Sequence, residues 1–151
     1  MRKVISLLLI VAVSSIMLVS ISQVEAAQGR ITLKRLAGQV QYKSNSWLFF
    51  SSGWKELNNS TSLSKGDVIK TGPEGQAQLT FANQARTLIK SNSKLKVVAS
   101  DEGLGLTKVK LSLGEVLVKF VNTVKSDQQF EVETPSATAG VRGTLFRVVV
   151  N

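Results

Sequence analysis

The chain has 151 residues, 19 of them Lys or Arg and 10 Asp or Glu, with neither histidine nor cysteine. Those two absences remove the usual general base, the thiol nucleophile, any disulfide framework and the common transition-metal ligands. A net charge of +9 would suggest nucleic acid in a cytoplasmic protein, but the N-terminus points to another compartment.

Arg2 and Lys3 precede an uncharged apolar run from Val4 to Ser22. Val24-Glu25-Ala26 then sets small residues at the third and first positions before a cut, the pattern of a signal peptide helix removed after Ala26. The rival is an uncleaved anchor, since 19 residues is roughly enough to span a bilayer; serines at 6, 14, 15, 20 and 22 weaken it. Either reading exports the remainder, to the periplasm, the cell surface or the medium. Nucleic acid is then no partner, and membrane contact would come only through an uncleaved N-terminal segment. Residues 27–151 form one domain, with 17 basic and 9 acidic residues and no Pro- or Ser-rich linker.

From Ile31 onward the hydrophobic period is two. Leu36 to Tyr42 suggests a strand pair. Trp47, Phe49, Phe50 and Trp54 follow, so with Tyr42 five of the nine aromatic residues lie between positions 42 and 54. Most can fill the core, but the continuous run Trp47-Leu-Phe-Phe50 cannot bury every side chain of a two-sided strand. Some of these rings are therefore candidates for a partner surface. Gln76 to Phe81 alternates and should bury Ala77, Leu79 and Phe81; Lys94 to Val97 and Lys108 to Leu113 alternate likewise. Turn clusters at 71–75, 90–93 and 100–103 separate these runs. No helical period occurs after the signal segment. The pattern predicts an all-β fold, an antiparallel β-sandwich or β-roll of about 8–10 short strands.

Two stretches repeat at an offset of 48: Leu63-Ser-Lys-Gly66-Asp67-Val68 and Leu111-Ser-Leu-Gly114-Glu115-Val116. In each, an apolar residue ends one run, glycine permits a tight turn, and an acid precedes the next strand. Lys94, Lys96, Lys108 and Lys110 stand at the parity opposite to their apolar neighbours. If their strands pair, four ammonium groups share one face, a candidate polyanion site or simply the solvated side of a sheet. At the C-terminal end, Phe130 to Thr134 reads as a strand stopped by Pro135, small residues follow, and Thr144 to Val150 reads as another strand. Arg142 lies between them in an apolar setting that calls for an acidic partner, Asp67 or Glu115.

The C-terminal run, Thr134-Pro135 followed by Val141-Arg142-Gly143-Thr144, resembles the signature of the FecR domain, a bacterial envelope module. Leu63-x-x-Gly66-Asp67-x-Ile69-x-Thr71-Gly72, Ala77-x-Leu79-x-Phe81, Asn92-Ser93-x-Leu95-x-Val97 and Leu111-x-x-Gly114-Glu115-Val116 extend the resemblance over Gly38 to Val150. It implies a structural role for Asp67, Thr134, Pro135, Arg142, Gly143 and Thr144. The best-known members span the membrane and control a sigma factor from a cytoplasmic segment, sensing an outer-membrane iron–siderophore receptor. Here three residues precede the apolar run, so no anti-sigma activity is expected. Members usually continue beyond the point where this chain ends, and an edge left open there would invite self-association.

The expectation is therefore a non-enzymatic, exported binding or sensing module without cofactor or metal, engaging an unidentified protein or envelope ligand. Alternatives are a binder of anionic envelope polymers through the lysine face, and a scaffold component.

Overall fold

The computed structural model describes residues 31–45, 53–82, 85–101, 106–120, 129–141 and 145–151. Residues 1–26, expected from the sequence to be a signal peptide helix, lie outside them. Among the described residues every regular element is a strand, in accord with the period of two. The first half holds β1 (Ile31–Ala37), β2 (Val40–Lys43), β3 (Lys55–Glu56), β4 (Ser60–Leu63), β5 (Val68–Thr71) and β6 (Gln76–Thr80). The second holds β7 (Ala85–Ile89), β8 (Lys94–Asp101), β9 (Leu106–Phe120), β10 (Gln129–Glu133), β11 (Thr138–Val141) and β12 (Leu145–Val150). The described residues hold twelve strands in place of the expected eight to ten, because β3, β4 and β11 are too short to show a period.

All twelve belong to one curled sheet that folds over itself through β9. The N-terminal half of β9 pairs with β8 and β10, and its C-terminal half with β7 and β12. One layer thus runs β3-β2-β5-β8-β9-β10-β11, and the other β4-β1-β6-β7-β9-β12. Pairing is antiparallel except between β10 and β9, which run parallel in the register Gln129↔Leu106 to Glu133↔Lys110.

Gly114 is where β9 passes from one layer to the other. Its φ of +96° is a conformation that side chains rarely adopt. Gly66, its counterpart in the repeat, has φ +94° in the turn between β4 and β5. The shared glycine conformation is real, but only Gly66 separates two strands; at Gly114 the ladder continues without a break. Leu36 to Tyr42 also departs from the expected strand pair. β1 pairs with β4 and β6, whereas β2 pairs with β3 and β5, so the chain changes layers between them.

The core lies between the layers. Leu33, Ala77, Leu79, Ile89, Val116 and Val118 from one side meet Val40, Ile69, Leu95, Val97, Val109, Leu111 and Phe130 from the other. Phe81 is buried as its alternation required. Thr87 is the odd member: it is 0% exposed, and its hydroxyl has no hydrogen-bond partner among the described residues. An unmet buried hydroxyl costs roughly 1–2 kcal/mol, so Thr87→Val, nearly equal in volume, is expected to raise stability by about that amount. Thermal unfolding should register a gain of a few degrees, and a lower midpoint would contradict it.

Candidate ligand-binding face

Burial of Val40, Ile69, Leu95, Val97, Val109 and Leu111 obliges their strand neighbours to face solvent. Cross-strand registers then line up two rows on the outer face. One row reads Glu56, Gln41, Lys70, Lys94 and Leu113 from β3 to β9. The second reads Lys43, Val68, Lys96, Lys110 and Glu133 from β2 to β10. The strands bearing the four lysines read from the sequence do pair, with Lys96 opposite Lys110 and Lys108 opposite Ala99.

The parallel strand β10 changes what that face can do. Lys110 Nζ lies 2.7 Å from Glu133 Oε1, and Lys108 Nζ lies 3.4 Å from Glu131 and 3.5 Å from Glu133. Half of the expected cluster is therefore neutralised by carboxylates. Lys43, Lys70, Lys94 and Lys96 carry no ion pair among the described residues, so the positive field is displaced toward β2, β5 and β8. The Lys108-x-Lys110 and Glu131-x-Glu133 spacings were a signal for this ladder, visible in the sequence but without meaning until the strands are known to be neighbours.

The hydrogen bond from Lys110 holds the Glu133 carboxyl below its ordinary value, with the charges of Lys110 and Lys108 adding to it. Glu115 is lowered chiefly by its bidentate bond from Arg147, with Nε and Nη2 both 2.8 Å from the two carboxylate oxygens. Groups with depressed folded-state pKa values stabilise above the unfolded value and lose that contribution as pH falls through the folded value. The thermal midpoint is expected to drop below about pH 4, and Glu133→Gln or Glu115→Gln should flatten the decline. A midpoint unchanged between neutrality and pH 3 would oppose this.

Beside the first row lies a groove of about 350 Å³ lined by Gln39, Gln41, Lys70, Asn92, Lys94 and Leu113, with Thr71, Gly72, Pro73 and Ser93 in its walls. Thr71 and Ser93 are buried and committed to structure. The Thr71 hydroxyl donates to the Lys90 carbonyl at 2.6 Å and accepts the Ser93 N–H at 2.9 Å. Ser93 Oγ accepts the Glu115 N–H at 3.0 Å. These bonds brace the β5 and β8 ends against β9. Lys70, Gln39, Gln41 and Asn92 were missed from sequence, because only strand register brings them to Lys94.

The other sequence candidates are dispersed. Trp54 precedes β3 and is 42% exposed, while Trp47, Phe49 and Phe50 lie outside the described residues. Asp67 is buried and accepts the Ser64 N–H at 2.9 Å and the Asn45 N–H at 2.8 Å, so it fastens the turn before β5. Thr134 and Pro135 form the turn between β10 and β11, in which the Thr134 hydroxyl accepts the Ala137 N–H at 3.0 Å. The small residues after Pro135 continue into β11, which pairs with β10. Arg142, Gly143 and Thr144 lie outside the described residues, and with them the expected pairing of Arg142 to Asp67 or Glu115.

No curated protein and no solved structure matches the chain. The profile described as FecR protein matches residues 67–151, more than half of its length. That span starts at the buried Asp67 and takes in the bend of β9, the β10–β11 turn and β12, so the chain belongs to the FecR family.

Proposed function

We propose that this protein is a non-enzymatic, exported binding or sensing module of a bacterial cell envelope. Its family supports an envelope signalling-related role. The export pattern of residues 1–26 supports the location. The observation that carries the binding reading is the outer face of β2, β5 and β8, where Lys43, Lys70, Lys94 and Lys96 stand without carboxylate partners among the described residues. Lysines directly opposite one another repel, so such a face gains stability when an anionic ligand occupies it. A rigid two-layer scaffold presents that ligand site and transforms nothing.

Expression of the full chain in a bacterium, followed by fractionation and mass measurement, tests the location. The expected product lies outside the cytoplasm at the mass of residues 27–151. A full-length product confined to the cytoplasm would sink the envelope reading.

A further inference from the structure

Resting on that reading of the outer face as a ligand site, we propose that the groove between Gln41 and Leu113 binds an acidic saccharide of two or three rings. Lys70 and Lys94 are directly opposite each other on β5 and β8, both exposed, and neither is ion-paired among the described residues. Their ammonium groups suit sugar carboxylates on adjacent rings. Gln39, Gln41 and Asn92 add three side-chain amides that hydrogen-bond nothing among the described residues. An amide both donates and accepts, which matches the vicinal hydroxyls of a sugar. Leu113 is 49% exposed at the far end and offers an apolar surface to a ring's C–H face.

Gln41 to Leu113 spans three inter-strand steps, roughly 14 Å, which accommodates a short oligosaccharide lying across the strands. The groove's volume of about 350 Å³ falls in the range of small-ligand clefts. A phosphate polymer would use the two ammonium groups and leave the amides and Leu113 without a role. An extended peptide would need a free strand edge, and β2, β5 and β8 are each paired on both sides.

Calorimetric titration of the purified protein with trigalacturonate is the test, with maltotriose, tripolyphosphate and hexaglutamate as comparison probes. Trigalacturonate should bind, maltotriose should not, and the two other anions should bind more weakly. Lys70→Gln, Lys94→Gln and Gln41→Ala should each weaken binding about tenfold, with the unfolding midpoint unchanged for Gln41→Ala and unchanged or slightly raised for the lysine variants, whose mutual repulsion is relieved. Lys34→Gln, on the outer face of the other layer, should leave binding intact. Equal or tighter binding of tripolyphosphate or hexaglutamate would overturn the proposal. So would a Lys34→Gln loss as large as that of Lys70→Gln, or no binding of trigalacturonate. Tighter binding of tripolyphosphate or hexaglutamate would sink the saccharide and leave the outer face a ligand site, whereas no binding of any of the three anions would sink both readings.

Discussion

Phe130→Ala is expected to cost about 3–5 kcal/mol, a large share of the 5–15 kcal/mol that typically holds a domain folded. Phe130 is fully buried on β10 and packs against rings of the other layer. Among its neighbours are Phe81, with centroids 5.6 Å apart at 76°, and Phe146, at 6.2 Å and 63°. Both contacts are edge-to-face, the geometry that aromatic quadrupoles favour beyond simple area burial. Truncation removes one ring and strips a face from two others, and strands hydrogen-bonded on both layers cannot close the gap by sliding. Urea denaturation should show a markedly lower midpoint, with Phe130→Leu falling between alanine and wild type. A loss under about 1 kcal/mol for alanine would mean that the layers do not meet through this ring.

Gly114→Ala is expected to be comparably damaging, at about 3 kcal/mol or more. A Cβ at Gly114 would overlap the Ser93 side chain and come within 2.5 Å of the Ser93 Cα. The φ of +96° adds backbone strain for any side chain. Because the Ser93 backbone is itself in the way, the double variant with Ser93→Ala should recover little. Gly140→Ala is the control: it lies in β11 with open space where a Cβ would stand, and should change stability by no more than about 0.5 kcal/mol. Equal midpoints for the two alanine variants would refute the assignment of Gly114 as the bend.

The glycine repeat shows how far local pattern reaches. Leucine, glycine and acid at matched spacing marked a tight turn at both positions; both glycines do have positive φ, which the missing Cβ permits, but only Gly66 lies between two strands. Whether the strand stops there depends on what lies alongside. After Gly66 the chain turns, because the buried Asp67 carboxylate gathers the Ser64 and Asn45 amides. At Gly114 the ladder runs on, because β7 and β12 pair with the residues that follow.

Alternation along the chain was sufficient for the all-β class, for the burial of Ala77, Leu79, Phe81, Leu95, Val97, Val109 and Leu111, and for the outward set of Lys94, Lys96, Lys108 and Lys110. It failed at Leu113, expected inward by the same alternation but 49% exposed, because the β8–β9 register shifts between Leu111 and Leu113 and turns that side chain outward. Side-chain direction in an unshifted strand follows from a two-residue period, which the order of residues carries completely. Partnership between strands is a different quantity. The parallel placement of β10 beside β9 sets Glu131 and Glu133 against Lys108 and Lys110, 23 residues away in the chain. The pairing of β5 with β8 brings Lys70 to Lys94 and opens the groove. Those neighbours arise from burying both inner faces against each other, a global packing condition that no local window contains.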